Sequence, residues 1–344
     1  MSYIIVSDVH LGSELCNHSQ FCHFLEWIKD LNVRTETVKC RDKDITITRP
    51  DKLILLGDIL ELWDPLEGDR NYVVKQGLRP FSLLSDIDCD KIFVVGNHDD
   101  SISDYENMID CEMLANSSKI DIYNRHYPEQ GTLAIGERTY FFLHGHQFDK
   151  EQAILAWVSN LLGEKWDPIK WFQDLFNITF TKSHWKKSLV VFMILLVTGW
   201  YFWEEALRTN FLHMLIWALV TGFFALSSVP GLVTRAQRRI YDFNKPKDKT
   251  AQQIIENGFY QSHKDTVSSN VVVFGHTHFA SSYKEGQSGG KLFLNSGCWI
   301  GSDNDIDGKR RYANTFIYID ESGEYILKWL DGKVNCIEAF PVRP

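Results

Sequence analysis

Short apolar runs, each ending on a small or polar residue, mark the first half of the chain. Four to five apolar residues bounded in this way predict strands that are buried on both faces. Residues 21–31 have helical spacing, and residues 38–50 predict a hairpin around an Asp-Lys-Asp cluster. The four runs are YIIVSD at 3–8, KLILLGD at 52–58, KIFVVGN at 91–97 and TYFFLHG at 139–145.

Apolar runs return in the last quarter of the chain, where they follow one another closely. Their close spacing predicts antiparallel strands. Strands separated by helices and then a series of strands predict a layered α/β fold with a mixed sheet or two packed sheets. These runs are VVVFGHTH at 271–278, KLFLNSGCW at 291–299, TFIYID at 315–320 and EYILKWL at 324–330.

Between the two halves lies an apolar stretch, residues 188–233, that holds only three charged residues. It consists of a sixteen-residue run, 188–203, and a twenty-three-residue run, 211–233. A spanning helix needs ~20 apolar residues, with a range of about 17–25, so the second run suffices and the first is slightly short. We predict an inserted transmembrane helical hairpin. The alternatives are a hairpin that lies on the membrane, one that forms a dimer interface, and one buried in the core.

Basic residues flank this hairpin on both outer sides. Three lysines precede it, and Arg235, Arg238 and Arg239 follow it. By the positive-inside rule both flanks are cytoplasmic, so we expect a protein of the cytoplasmic (inner) membrane with its strand-rich domain on the cytoplasmic side. The three arginines are candidates for binding a lipid or substrate phosphate, and the alternative is a solvated flank that only sets topology.

Composition narrows the function further. The net charge of −9 argues against a nucleic-acid binder, because phosphate contacts need a basic surface. The seven cysteines contain no CxxC pair and are odd in number. We therefore expect scattered reduced thiols of an intracellular protein, rather than a zinc knuckle or a disulfide framework. The N-terminus runs directly into the first strand, so we expect no secretory signal.

Aspartate, asparagine and histidine follow the apolar runs. Ligands of layered α/β proteins collect outside the carboxyl ends of strands, and residues i and i+2 of an extended strand point the same way. Neighbouring glycines let the backbone approach closely. One shared site is therefore predicted. The motifs are Asp8-Val-His10, Gly57-Asp58, Gly96-Asn97-His98-Asp99, His144-Gly-His146 and Gly275-His276-Thr-His278.

The residue types in these motifs predict metal binding. They offer carboxylate, imidazole and amide groups with no thiolate, which suits Mn, Fe, Zn or Mg. Three Asp or Asn and four His are too many ligands for one ion and suit two. We expect two divalent metal ions, with Mn as the first choice and Fe, Zn and Mg as alternatives.

In this order, DVH, GD, GNHD, HGH and GHTH resemble the motifs of the calcineurin-like metallophosphoesterase superfamily. The resemblance covers roughly residues 1–150 and 262–344 and implies a sandwich of two mixed sheets flanked by helices, with a dinuclear metal centre. It also implies a ligand set: Asp8, His10 and His278 on one metal, Asn97, His144 and His276 on the other, and Asp58 bridging them.

The same resemblance implies a mechanism. A hydroxide that bridges the metals attacks phosphorus in line, and His98 donates a proton or hydrogen bond to the leaving group. Asp99 either orients His98 or serves only the turn. His146 is interpreted as a contact to a metal ligand or to the substrate, and the alternative is a packed surface histidine.

An insertion of apolar and basic helices between HGH and GHTH is similar to the UDP-2,3-diacylglucosamine pyrophosphatase branch of the lipid A pathway, where it forms a lipid-binding cap. SGCW at 296–299 and the FPV near the end are also similar. This chain departs from the branch in having His98 in place of Arg, and a longer insertion. We predict a catalytic domain of residues 1–150 and 262–344, with an insertion or cap of residues 151–261 that contains the hairpin.

Together these features predict a phosphoester or pyrophosphate hydrolase that acts at the membrane on a lipid-linked phosphate or nucleotide-lipid. Its expected partners are the bilayer and a membrane lipid, and no nucleic acid. One alternative is a membrane-anchored phosphatase or cyclic-nucleotide phosphodiesterase with a soluble substrate. Another is a non-catalytic metal-binding scaffold, which the presence of every ligand position and of His98 argues against.

Overall fold

The structure is a computed structural model that describes residues 1–41, 43–62, 66, 70–99, 120–148, 249–256, 268–286, 290–306 and 308–341. Contacts divide the chain into two units, Met1–Gln152 with Pro246–Pro344, and Ala153–Lys245. All described residues belong to the first unit. The predicted hairpin, residues 188–233, and the three arginines Arg235, Arg238 and Arg239 lie outside the described residues. Within the described ranges, no helix is long and apolar enough to cross a membrane.

The first half of the described chain alternates strands and helices, in the order expected from the apolar runs. It contains β1 (Tyr3–Val6), α1 (His18–Asp30), β2 (Glu36–Cys40), β3 (Lys43–Ile47), β4 (Lys52–Leu56), α2 (Arg70–Asp86) and β5 (Asp90–Val94). Then come β6 (Ile120–Tyr123), β7 (His126–Tyr127), β8 (Leu133–Ile135), β9 (Arg138–Leu143) and a 3-10 turn at His146–Phe148.

Where residues 249–341 are described, they are almost entirely strands after one short helix, α3 (Ala251–Ile255). This helix falls inside the range 151–261 that was predicted as the insertion, yet it packs on the sandwich. The strands are β10 (Val271–Phe274), β11 (Ser281–Lys284), β12 (Leu292–Asn295), β13 (Asn304–Ile306), β14 (Lys309–Arg311), β15 (Thr315–Asp320), β16 (Gly323–Leu330) and β17 (Lys333–Pro341).

Two mixed sheets form the body of the described unit. The first has the order β17-β16-β15-β1-β4-β5-β6, in which β1, β4, β5 and β6 are parallel and β15 to β17 are antiparallel. The second has the order β11-β12-β10-β9-β7, with a parallel centre of β9, β10 and β12 and antiparallel edges. The prediction of a layered α/β fold with mixed sheets is therefore confirmed.

Alternate residues of the central strands pack into two different hydrophobic cores, one on each face of the sheet. These strands are therefore apolar throughout. Tyr3 and Ile5 of β1 face the second sheet and pack with Phe142 and Val273. Ile4 and Val6 face the other way and pack with helices α1 and α2. A third cluster joins α3 to the outer face of the second sheet.

The antiparallel prediction for the last four apolar runs is half wrong. β15 and β16 are antiparallel, as predicted, but β10 and β12 are parallel. The reason is β11, which was not predicted. It pairs antiparallel with β12 at the edge of the sheet, so β12 returns beside β10 in the same direction as β10.

The expectation of reduced thiols throughout is also wrong. Cys40 of β2 and Cys336 of β17 form a disulfide with their Cα atoms 5.2 Å apart. The two cysteines are 296 residues apart in sequence, and only the packing of the β2–β3 hairpin against the edge strand β17 brings them together. Four other cysteines of the described ranges, Cys16, Cys22, Cys89 and Cys298, are reduced.

Candidate metal centre

The predicted ligands gather at one end of the sandwich because each follows the carboxyl end of a strand. Asp8, Asp58 and Asn97 follow the parallel strands β1, β4 and β5 of the first sheet. His144 and His276 follow the parallel strands β9 and β10 of the second sheet. Strand ends of parallel neighbours meet at the same edge, so both sheets present their polar residues to one crevice.

Backbone conformation, rather than strand alternation, aims the paired residues. Asp8 and His10 have φ of 53° and 52°, and His276 and His278 have φ of 68° and 55°. These are left-handed turns, which cost energy for residues with a side chain and cluster at functional sites. The expectation that the i and i+2 residues converge from an extended strand is therefore wrong in its reason, because they lie in turns beyond the strand.

The first set of ligands is Asp8, His10 and His278, all of which are buried. His278 Nε2 lies 3.2 Å from Asp8 Oδ1 and 3.2 Å from His10 Nε2. Asp8 Oδ2 is turned away from this point, since it accepts a hydrogen bond from the His276 N–H at 2.9 Å and another from Ser7 Oγ. One carboxylate oxygen and two imidazole nitrogens thus converge.

The second set is Asp58, His144 and His276, also buried, with ligand atoms within 4.8 Å of one another. His144 Nε2 lies 3.0 Å from Asp58 Oδ2, and the same oxygen lies 4.0 Å from His10 Nε2 of the first set. Asp58 therefore stands between the two sets, which is the position that a bridging ligand requires.

A hydrogen bond on the far side of the His144 ring prepares this histidine for a metal. His144 Nδ1 donates to the Leu56 carbonyl oxygen at 2.9 Å, which leaves the lone pair on Nε2 facing the site.

Asn97 lies beside the second set, since the next residue, His98, donates its backbone N–H to Asp58 Oδ1 at 2.8 Å. Asn97 Oδ1 is buried and has no hydrogen-bond partner among the described residues.

Two glycines are required by this packing. Gly57 has φ of 81°, and a Cβ there would overlap the His144 ring. A Cβ on Gly275 would overlap both Ser7 Oγ and Asp8 Oδ2. The close approach of backbone expected from the Gly-Asp and Gly-His motifs is therefore present.

Glu61 is a site residue that the sequence reasoning missed. It is buried, and its two carboxylate oxygens each contact one imidazole: Oε2 lies 2.7 Å from His10 Nδ1, and Oε1 lies 2.7 Å from His98 Nδ1. A glutamate within the apolar segment at 59–62 was the available signal, because glutamate is almost never fully buried without a partner. Glu61 fixes both rings with Nε2 directed away from itself.

The Glu61 carboxylate contacts the His98 ring, whereas the Asp99 carboxylate hydrogen-bonds to backbone N–H groups. Its oxygens accept hydrogen bonds from the backbone N–H groups of Leu60 at 2.9 Å and Ile59 at 3.2 Å. It therefore holds the backbone between Asp58 and Glu61, and whether it orients His98 or serves only its own turn stays a prediction. Burial, with the nearby Asp58 charge, raises the pKa of Asp99 to about 7.

His146 lies at the edge of the second set, on the 3-10 turn. Its ring centroid is 5.6 Å from that of His144 and 6.3 Å from that of His276, and its Nδ1 is buried without a hydrogen-bond partner among the described residues. Burial and then the neighbouring histidines lower its pKa to about 3, so the ring is neutral.

Neighbouring carboxylates raise the pKa of three imidazoles of the site, His10, His98 and His144. Burial disfavours the charge of the His98 ring, but the carboxylates of Glu61 and Asp58 outweigh burial and raise the pKa of His98 to about 10. Burial alone would raise the pKa of the Asp58 carboxyl. Its interactions with His144 and His98 instead lower that pKa well below its usual value. The pKa of His98 is thus raised and that of the neighbouring Asp58 is lowered, because each favours the charged form of the other.

These residues fit a pair of divalent cations. Buried carboxylate oxygens and imidazole nitrogens face each other at about 3 Å, and both kinds of atom are ligands for divalent cations. The donor set contains oxygen and nitrogen and no sulfur, which matches the predicted class of metal but does not select one metal within it.

Residues 1–280 match the family of calcineurin-like phosphoesterases. The chain belongs to this family. The match spans the insertion and ends just past the GHTH motif. A search of curated proteins found no significant match to this sequence.

Solved structures with a similar course of the chain include Vps29 from Entamoeba histolytica. A single mutant of that protein has 14% identity and a TM-score of 0.39, with 100% of both chains covered. Wild-type Vps29 complexed with Zn has 12% identity and a TM-score of 0.36, with 99% of both chains covered. A predicted phosphoesterase from Streptococcus pneumoniae has 12% identity and a TM-score of 0.31, covering 98% of this chain and 97% of its own.

Proposed function

We propose that this calcineurin-like phosphoesterase is a dinuclear-metal hydrolase of phosphoesters or pyrophosphates that acts at the membrane on a lipid-linked phosphate or nucleotide-lipid. The observation that carries the metal chemistry is the convergence of two buried ligand sets on Asp58. The membrane part of the proposal rests on the apolar hairpin at 188–233 and its basic flanks.

The contacts of Phe148 and Lys249, the described residues on either side of the insertion, support a link between the metal chemistry and the membrane part of the proposal. Phe148, the last described residue before the insertion, follows the ligand His144 by four positions and packs on Phe274. Lys249, the first described residue after it, is bonded through its carbonyl oxygen to Thr277, which stands between two ligands. Phe148 and Lys249, the described residues on either side of the insertion, thus both lie close to loops that carry proposed ligands.

The protein groups then have distinct tasks. When bound, the two ions would neutralise phosphoryl charge and lower the pKa of an attacking water. The water oxygen forms a bond to phosphorus while the bond from phosphorus to the leaving oxygen breaks, and His98 Nε2 gives its proton to that oxygen. Glu61 holds His98 in the required orientation, and Asp8, Asp58, Asn97 and the histidine ligands would hold the ions. His146 and the arginines at 235, 238 and 239 are proposed substrate contacts.

The experiment compares soluble and lipid substrates at equal phosphorus concentration. Full-length protein in nanodiscs with Mn²⁺ is offered an aryl phosphate, an aryl diester and a panel of lipid phosphates and pyrophosphates that includes UDP-2,3-diacylglucosamine. A clear preference in kcat/KM for a lipid substrate supports the proposal. Equal rates on soluble and lipid substrates would instead support an anchored phosphatase or cyclic-nucleotide phosphodiesterase.

Two further arms separate the remaining possibilities. Replacing Arg235, Arg238 and Arg239 together by Gln should lower kcat/KM for lipid substrates and leave the aryl phosphate unchanged. A protein that binds Mn²⁺ but turns over none of the substrates would be a metal-binding scaffold, and the proposal would be abandoned.

A further inference from the structure

Thr277 is the residue between the ligands His276 and His278, and it is buried. Its hydroxyl lies 2.7 Å from the carbonyl oxygen of Lys249. Lys249 begins the segment that re-enters the sandwich after the insertion, which we call the stem and define as residues 249–256. A single side chain therefore connects the loop that holds two ligands to the stem.

The direction of this hydrogen bond is determined by its neighbours. Asn295 Oδ1 accepts the Gly297 N–H at 2.8 Å, so its amide nitrogen faces the Gly275 carbonyl and Thr277 Oγ1, each at 2.8 Å. Thr277 Oγ1 accepts this N–H and must donate its own proton to Lys249, since a carbonyl oxygen only accepts. The hydroxyl is thus held between a rigid strand end and the stem.

The stem is anchored firmly enough to carry this connection. Thr250 caps α3 in a capping box with Gln253, and the Ala251 N–H donates to Ser281 Oγ at 2.9 Å. Ala251, Ile254 and Ile255 are fully buried against Phe274, the last residue of β10 before the ligand loop. A displacement of the stem would therefore act on the Lys249 carbonyl and, through it, on Thr277.

We propose that Thr277 is a positioning residue that couples the metal-ligand loop to the stem. The hydroxyl keeps His276 and His278 in their left-handed turns only while Lys249 is in place, so metal binding and stem order stabilise each other. Such coupling is reciprocal by linkage: ions that order the loop slow opening of the stem, and a stem that is held in place tightens metal binding. This inference rests on the proposed metal centre.

The test measures stem order directly, without turnover. Hydrogen exchange of the backbone amides of residues 249–256 is followed with and without Mn²⁺ in the full-length wild type, Thr277→Val and Thr277→Ser. Mn²⁺ should slow stem exchange in the wild type and in Thr277→Ser, which keeps the hydroxyl. In Thr277→Val, which keeps the shape, the slowing should be lost, and calorimetry should show Mn²⁺ binding weakened about 5-fold or more.

Controls separate coupling from general damage. Thr46→Val, on an exposed position of β3, should respond to Mn²⁺ as the wild type does. Exchange in α1 should be unchanged in every variant, and Thr277→Ala provides a second variant without the hydroxyl if Thr277→Val does not fold.

Three results would overturn parts of this account, and they can be told apart. Stem exchange slowed equally in the wild type and in folded Thr277→Val would refute coupling through this hydroxyl. Mn²⁺ binding by the wild type with no change in stem exchange would refute the coupling but leave the metal centre standing. Absence of Mn²⁺ binding by the wild type would refute the proposed function and this inference with it.

Discussion

Glu61 Oε1 lies 2.7 Å from His98 Nδ1, and both side chains are buried. The other oxygen of the same carboxylate contacts His10, so one residue orients both a metal ligand and the proposed proton donor. A substitution of Glu61 should therefore affect both metal binding and turnover.

Glu61→Gln should disturb the orientation of the His10 and His98 rings, one of them more than the other. Glutamine offers one acceptor oxygen, and its NH₂ would face a ring N–H, so only one imidazole keeps its partner. We expect kcat on an aryl phosphate to fall ~10–100-fold, together with weaker Mn²⁺ binding in calorimetry. Glu26→Gln, a change at a half-exposed position of α1 that breaks an ion pair with Arg79, should leave both quantities unchanged. Wild-type values in Glu61→Gln would contradict the role of this carboxylate.

His98→Ala should separate proton transfer from metal binding. Its ring is not among the predicted ligands, so the metal content by mass spectrometry should stay at the wild-type value. We expect kcat to fall ~10²–10⁴-fold, the range that general acid catalysis supplies. His23→Ala, at an exposed position on α1, is the matched control. Loss of metal from His98→Ala, or turnover like that of the wild type, would show that this assignment is wrong.

Metal binding should stabilise the fold, because the candidate ligands come together only in the native state, and a cation therefore binds that state in preference to the unfolded chain. At a free Mn²⁺ concentration of 100 Kd, binding to the native state contributes about 2.7 kcal/mol. For a domain of this size the thermal midpoint should rise by about 5–10 °C. Asp58→Asn replaces the carboxylate between the two ligand sets by an amide. In this variant the rise in the thermal midpoint, measured by scanning calorimetry, should be clearly smaller. An equal rise in the variant would argue that Mn²⁺ binds elsewhere.

Reduction of the Cys40–Cys336 disulfide should lower stability, because it releases a cross-link between residues 296 apart. We expect a loss of about 2–5 kcal/mol in the free energy of unfolding by urea. Cys336→Ser should show the same loss, and adding a reductant to that variant should change nothing further. Equal stability of oxidised and reduced wild type would mean that β17 is held by its strand pairing alone.

The strands that carry the motifs, and the candidate ligands at their ends, stand out in the sequence for a physical reason. A buried parallel strand must be apolar throughout, and its end must be polar, so a ligand such as Asp8 or Asp58 stands out directly after the run. The order of the motifs, together with the residue types, then identifies the family. β6, β7, β8 and β17 were missed because they are half-exposed and carry mixed residues with no clear apolar run.

By itself, the sequence determined the layered α/β class, the strands that carry the motifs and the chemistry of their ends, since these follow from local patterns of apolar and polar residues. Only the tertiary structure decided which distant side chains meet. Glu61 reaches His10 across 51 positions and His98 across 37, Thr277 reaches Lys249 across 28, and Cys40 reaches Cys336 across 296. No local pattern records such pairs, because each forms only when strand pairing and sheet packing have placed both partners at the same end of the fold.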